Sequence, residues 1–146
     1  MKKTIITLAS FFLMITAFAG TPSAPSEKVL KLFNATFTSP QEVTWYDNAD
    51  HYRVSFVQDG ILTRVKYDKE GNFISSMRYY SKQNLPINIF CLVTKEFEGM
   101  EVYGVTETTN TVKVNYYITL HDGQNLVTMK VNSNGEISKV RKYKKA

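Results

Sequence analysis

The sequence predicts an α+β protein of two tandem units, each with one helix and about four antiparallel strands, joined into one extended sheet with both helices on one face. Three observations support this. Residues 26–37 and 86–97 carry apolar side chains at helical spacing, and they lie 60 positions apart. Each segment is followed by stretches in which apolar and polar residues alternate. Both halves then reach an Asp-Gly pair, Asp59-Gly60 or Asp122-Gly123, which is typical of a hairpin turn.

The two predicted helices begin with recognisable start signals. Ser26 is a candidate N-cap in the first helix, and Pro86 stands at the start of the second. Apolar residues at matching positions form one face of each helix. They are Val29, Leu30, Phe33 and Phe37 in the first helix, and Ile89, Phe90, Val93 and Phe97 in the second.

The strands show a period of two, which is typical of antiparallel sheets with one buried face. In the first half, Tyr52, Val54 and Phe56 alternate with polar residues that include Arg53 and Ser55. In the second half, Val112, Val114, Tyr116 and Ile118 alternate with Lys113, Asn115 and Tyr117. We expect the apolar sets to face the helices.

The closing strand of each half leaves its register open. The segments 74–80 and 137–143 share the pattern Ile-Ser-x-[Met/Val]-Arg-x-Tyr at an offset of 63, but the preceding turn glycines, Gly71 and Gly135, match at an offset of 64. A slip of one residue moves every side chain to the other face of the sheet.

A set of motifs spread over the chain resembles one known family. They are Trp45, Tyr52-x-Val54-x-Phe56, Val65-x-Tyr67-Asp68-x-x-Gly71, Leu85-Pro86 and Tyr116-Tyr117. Together they resemble the secreted PepSY-like proteins, also described as β-lactamase-inhibitor-protein-like (BLIP-like). The resemblance implies a two-layer fold and an exported, non-catalytic role such as enzyme inhibition, but it supplies no functional residues to carry over, and a shared fold does not imply a β-lactamase target.

The N-terminus predicts export. Residues 1–19 combine a basic head, an apolar run and a small-residue cleavage site, which is the pattern of a bacterial signal peptide. We expect a short tether at 20–25, a first repeat at 26–83 and a second repeat at 84–146. The mature protein is then expected in the periplasm or outside the cell, with no membrane span after signal removal.

Net charge and cysteine content limit the possible partners and exclude an internal disulfide. The net charge of +5 includes two lysines of the signal peptide and five basic residues in the last eight positions. A nucleic-acid partner is not expected outside the cytoplasm. Cys91 is the single cysteine, so no internal disulfide forms, and we expect its side chain to be buried on the second helix.

We find no catalytic or metal-binding constellation in the sequence. His51 and His121 stand apart from each other and from Cys91, so metal-ligand spacing is lacking. No Gly-x-Ser-x-Gly elbow or glycine-rich phosphate loop occurs. The sequence therefore predicts neither an enzyme nor a bound cofactor.

The sheet face away from the helices is the candidate site, because strand alternation places basic residues and tyrosines on it. Tyrosine and arginine are favoured at protein interfaces, although a solvated sheet face also carries such residues. We predict a non-enzymatic binding module that inhibits or modulates an envelope protein. The alternative is a sensor or carrier of a small anionic or glycan ligand, with a pocket near residues 80–85. The candidate partner-binding residues are Arg53, Arg64, Lys66, Arg78, Tyr80, Lys113, Tyr117 and Lys130.

Overall fold

The computed structural model describes residues 23–144; the predicted signal peptide and the first half of the predicted tether lie outside this range. The chain forms α1, four strands, a short 3₁₀ turn, α2 and four more strands. The elements are α1 (Glu27–Thr36), β1 (Gln41–Asp47), β2 (His51–Gln58), β3 (Ile61–Asp68), β4 (Phe73–Tyr80), the 3₁₀ turn (Lys82–Asn84), α2 (Ile87–Glu96), β5 (Glu101–Asn110), β6 (Val114–His121), β7 (Asn125–Asn132) and β8 (Ile137–Lys144).

All eight strands join one antiparallel sheet, in the order in which they occur along the chain. The two halves meet where β4 pairs with β5, from Ser75 opposite Asn110 to Tyr80 opposite Val105. The expected single extended sheet is therefore present. Because each strand pairs with the next one along the chain, every connection within a half is a short hairpin.

Helix α1 covers the first half of the sheet. Ser26 caps it as predicted, since its Oγ accepts a hydrogen bond from the backbone N–H of Val29. Val29 and Phe33 are buried against the sheet. The Phe33 ring lies 5.1 Å from Phe56 and 5.2 Å from Trp45, both in edge-to-face contact, so an aromatic cluster holds the helix.

Helix α2 covers the second half in the same way. Ile89 and Val93 are fully buried, and they belong to one apolar cluster with Val105, Ile118 and Met129 of three neighbouring strands. Burying side chains of this size stabilises the fold by about 1.5–3 kcal/mol each. The second half therefore has a core of its own beneath α2.

Strand register shows that both helices lie on the same face. Val65, which packs under α1, is opposite Ser76, and Ser76 is opposite Thr109. Thr109 is opposite Val114, which packs with the cluster under α2. Side chains directly opposite in a ladder point to the same side of a sheet. One side, here called the helix face, is covered by helices; the other is here called the open face.

Two predictions about single side chains are wrong. Cys91 is exposed, because Ile89 and Val93 define the buried side of α2 and Cys91 lies on the opposite side with Ile87. Val112 is 88 % exposed, because it lies in the turn between the end of β5 at Asn110 and the start of β6 at Val114, where the inward alternation begins.

The two closing strands have different registers. Ser75 and Ser138 occupy equivalent positions, opposite Lys66 and Lys130. β4 then continues regularly, whereas β8 carries an irregularity that places Arg141 opposite Thr128. One extra residue in a strand reverses its alternation. The shared arginine of the two motifs consequently lies on the helix face in β4 and on the open face in β8.

Candidate functional site

The open face carries a tyrosine row beside a basic row. Strand pairing aligns Leu62, Tyr79, Thr106, Tyr117 and Lys130 directly across five strands. A second row, which contains Arg64 and Met77, runs next to it, and a third contains Arg53 and Lys66. The face therefore combines large, partly apolar side chains with long cationic ones.

Cations on this face lie over tyrosine rings. The Arg53 guanidinium is 4.3 Å from the Tyr46 ring centroid, and that of Arg64 is 5.3 Å from Tyr79. Arg64 Nη1 also donates to the Tyr79 hydroxyl at 3.3 Å. In the second half, the Lys130 ammonium is 6.0 Å from the Tyr117 centroid. Such pairs hold long basic side chains against the sheet, which lowers the entropy they lose when a partner binds.

Two shallow depressions mark the open face. One of about 370 Å³ is lined by Arg53, Arg64 and Lys66, together with Met77 of β4. Another of about 240 Å³ is lined by Tyr117, Lys130, Arg141 and Tyr143. Arg141 and Tyr143 reach this face through the irregularity in β8. Both depressions are lined by basic side chains and open to solvent.

Lys113 lies at the end of the sheet rather than within a strand. It belongs to the β5–β6 turn, where its backbone N–H donates to Asn110 Oδ1 at 2.9 Å. The side chain is exposed and borders a polar depression shared with Lys130. Lys113 is thus near the open face, but the turn and not strand alternation places it there.

The prediction that Arg78 and Tyr80 lie on the open face is wrong. Arg78 is opposite Thr63 and Glu107, and Tyr80 is opposite Val105, all on the helix face. The Tyr80 hydroxyl donates to Glu107 Oε2 at 2.6 Å, and Arg78 Nη1 lies 3.4 Å from Glu107 Oε1. The β4 register, which the sequence left open, causes the difference. The two residues form a polar cluster where the halves meet.

Burial raises the pKa values of two tyrosine hydroxyls in and beside this cluster. Removal from solvent raises the pKa of the Tyr80 hydroxyl, and its hydrogen bond to the Glu107 carboxylate raises it further. Desolvation also raises the pKa of the neighbouring Tyr116, with the Glu107 charge as a second cause. Both hydroxyls therefore stay protonated at neutral pH, and Tyr80 acts as a hydrogen-bond donor.

A groove opens on the helix face beside the C-terminal end of α1. It has a volume of about 530 Å³, and its floor is largely apolar, with Phe37, Phe56, Ile61 and Phe73 among the lining residues. Polar groups also line it. Gln58 and Asp59 line it at the β2–β3 turn, and Arg78 lines it on β4. The groove lies on strands β2–β4, and the predicted pocket near residues 80–85 stays a prediction.

Within residues 23–144, no group of three or more histidine, cysteine, aspartate or glutamate side chains is arranged to hold a metal ion. Among the same residues, no helix has the length and apolar character needed to cross a membrane. The His51 Nδ1–H donates to Asp50 Oδ1 at 2.7 Å, and this hydrogen bond is the main cause that lowers the Asp50 pKa. The hydrogen bond to the neighbouring Asp50 therefore gives His51 a local structural role.

Several site residues were missed by the sequence reasoning. Tyr46 and Tyr79 lie on the open face, where their rings carry the arginines. Tyr79 could have been found, because it alternates with Tyr80 and the choice between them depends only on register. Asp59 was predicted in a hairpin turn and Gln58 was not singled out, and no sequence signal connects them with Arg78, which is 19 positions or more away.

Comparison with solved structures identifies the same fold in several Bacteroides proteins. A BLIP-like protein from Bacteroides fragilis aligns with a TM-score of 0.64 at 14 % identity, over 85 % of this chain and 90 % of the other. A DUF2874 family protein from Bacteroides uniformis aligns with a TM-score of 0.62 at 18 % identity, over 82 % and 90 %. A candidate periplasmic protein from Bacteroides eggerthii aligns with a TM-score of 0.62 at 16 % identity, over 82 % and 90 %.

No protein-family model matches the chain, and neither does any curated protein. At these identities the structural likeness shows the fold alone. The chain has a BLIP-like α+β fold. This confirms the fold part of the resemblance read from the sequence motifs, and the PepSY-like part stays a prediction.

Proposed function

We propose that this protein is an exported, non-enzymatic binding module that uses the open face of its sheet to hold, and thereby inhibit or modulate, a protein of the bacterial envelope. The observation that carries the proposal is the ordered set of cation–tyrosine pairs on a broad sheet face that neither α1 nor α2 covers. An acidic protein surface with apolar positions is the complementary partner.

The chemistry of the face suits protein binding. Leu62 and Met77 are 36 % and 39 % exposed, and Tyr117 is 44 % exposed, so apolar area is available in the same rows as the cations. Interfaces are enriched in tyrosine, methionine and arginine, which supply large contact areas with polar ends. The shallow depressions are better matched to protruding side chains of a protein than to an enclosed metabolite.

The location and origin of the module belong to the same proposal. Residues 1–19 act as a cleaved signal peptide, which delivers the chain to the periplasm or the exterior, and a candidate periplasmic protein among the structural neighbours supports this. The two halves, 26–83 and 84–146, are copies of one unit in a PepSY-like arrangement. Their common order of one helix followed by four hairpin-connected strands supports that origin.

Charge reversal on the open face tests the proposal. A variant with Arg53→Glu, Arg64→Glu and Lys66→Glu is expressed in the native cell and crosslinked in the intact envelope. We expect the crosslinked partner of the wild-type protein to be lost, because three cations opposed to an acidic patch become repulsive.

A matched control places the same charge change on the helices. Lys28, Lys31 and Lys95 are exposed on α1 and α2, so their reversal to glutamate changes the net charge equally and leaves the open face intact. The control variant should retain the crosslink. Loss of the partner in both variants, or in neither, would contradict the assignment of the open face.

A further inference from the structure

The groove on the helix face is lined by charged side chains that have no part in the proposed binding at the open face. Its lining places Gln58 and the Asp59 carboxylate at the β2–β3 turn and the Arg78 guanidinium on β4, with Ile61 and Thr63 of β3 between them. Opposite charges on either side of β3, in a groove whose lining is largely apolar, match a ligand that is itself zwitterionic and apolar in the middle.

The length of the groove limits the ligand. Gln58 is on β2 and Arg78 is on β4, two strand spacings across the sheet and two residues along it, so the two positions are about 12 Å apart. An extended peptide advances about 3.4 Å per residue, so three residues span about the same distance. The groove volume of about 530 Å³ lies in the range of small-ligand pockets.

Arg78 keeps donors for a ligand. Among the described residues its ion-pair contact is with Glu107, through Nη1 at 3.4 Å, which is longer than the 2.7–2.9 Å typical of a charge-assisted hydrogen bond. A guanidinium carries five N–H donors in a planar fork. About 40 % of the side chain is exposed, so a carboxylate can approach the remaining donors.

Gln58 provides the second observation. Its Oε1 is shielded from solvent and accepts no hydrogen bond within residues 23–144. A buried acceptor without a donor is costly, and rotation of the terminal amide loses no hydrogen bond at that oxygen. A ligand ammonium beside Asp59 could therefore be joined by the rotated Gln58 oxygen on the same side of β3.

From this geometry we infer that the groove binds a short apolar peptide of about three residues, with its amino terminus at Gln58 and Asp59 and its carboxylate at Arg78. The apolar side chains of the peptide lie against Phe56 and Ile61, which line the groove beside this path. This site is separate from the open face, so the protein has a peptide-binding function in addition to the proposed capture of a protein partner.

Isothermal titration with trileucine tests the inference on protein purified after export. We expect trileucine with free ends to bind, and we expect C-terminal amidation to weaken binding at least about tenfold, the effect of losing one charge-assisted contact. Arg78→Met should remove this difference between acid and amide. Asp59→Asn should remove the corresponding difference between the free and the N-acetylated amine.

The use of two variants keeps the test informative even if one of them misfolds. Asp59 is exposed in a turn, so its substitution leaves the core intact even if Arg78→Met unfolds the cluster with Glu107. Lys31→Met on the solvent side of α1 is the control and should bind trileucine like the wild type. Absence of trileucine binding overturns the inference. Binding of decanoate as tight as that of trileucine, and insensitive to Asp59→Asn, also overturns it in favour of a simple fatty carboxylate.

Discussion

Two adjacent tyrosines provide a direct test of the β4 register. The Tyr80 hydroxyl is partly buried on the helix face and donates to the Glu107 carboxylate at 2.6 Å. The Tyr79 hydroxyl is on the open face, where it receives a 3.3 Å contact from Arg64 and lies 3.5 Å from Met77 Sδ. If the register is correct, removal of the Tyr80 hydroxyl should lower the free energy of unfolding far more than removal of the Tyr79 hydroxyl.

The magnitude follows from the hydrogen bonds lost. A hydrogen bond to a charged group contributes about 1.5–3 kcal/mol, and Tyr80→Phe also leaves one Glu107 oxygen without its donor. We expect a loss of about 2 kcal/mol in the free energy of unfolding, which lowers the melting temperature by about 5–10 °C for a domain of this size. Tyr79→Phe should cost less than about 0.5 kcal/mol, since surface substitutions have small effects.

Urea denaturation followed by circular dichroism measures both variants under identical conditions. Each variant loses a single oxygen atom, so Tyr79→Phe is a matched control for Tyr80→Phe. Equal losses, or a larger loss for Tyr79→Phe, would show that the register and the resulting face assignment are incorrect.

Alkaline pH gives an independent measurement of the same site. The pKa of Tyr80 is raised in the folded protein above its ordinary value of 10, so the unfolded chain releases the proton first. The stabilisation is complete below pH 10 and declines as the pH rises above it. The unfolding free energy of wild type should therefore fall more steeply above pH 10 than that of Tyr80→Phe, while Tyr79→Phe should follow wild type.

Three further predictions concern the core, a thiol and a turn. Phe33→Ala should cost about 3–5 kcal/mol in a urea titration because Phe33 is 2 % exposed, whereas Leu30→Ala, at a site 39 % exposed, should cost less than about 1 kcal/mol. Cys91 should react with a thiol reagent in the folded state at nearly the rate seen in urea, since it is exposed; strong protection would contradict the orientation of α2. Asp122→Ala should lower the melting temperature at pH 7 and make no difference below the folded pKa of Asp122. Hydrogen bonds from Asn125 and Gln124 lower that pKa, so the stabilisation is present above pH 4 and is lost as the pH falls through the folded value. A difference between the variant and the wild type that does not shrink as the pH falls below 4 would exclude this role.

Much of the fold could be predicted because local patterns repeat along the chain. Helical spacing placed α1 and α2, and both structural helices lie within one or two residues of the predicted segments. The alternation of Tyr52, Val54 and Phe56 located the buried side of β2. Asp59 and Gly60 adopt positive φ angles of 52° and 74°, as a two-residue hairpin turn requires. The Asp-Gly pair alone was therefore enough to predict that turn.

The candidate site was only partly predictable for a related reason. Arg53, Arg64 and Lys66 lie on regular strands, so their parity relative to apolar neighbours placed them on the open face. Arg78 and Arg141 share a sequence motif, yet they lie on opposite faces. The reason is that β8, unlike β4, contains an extra residue between the shared serine and the shared arginine. An irregularity of this kind depends on how a strand meets its neighbour, and the sequence of the strand itself carries no sign of it.

The amino-acid sequence by itself determined the order of helices and strands, the hairpin connections and the helix-facing residues of the regular strands. Those features depend on spacing between near neighbours, and each hydrophobic period has one physical interpretation. Only the tertiary structure decided that Tyr80 donates to Glu107 and that Gln58, Asp59 and Arg78 share one groove. These residues come from different strands, and pairing of the strands, with its register, brings them together.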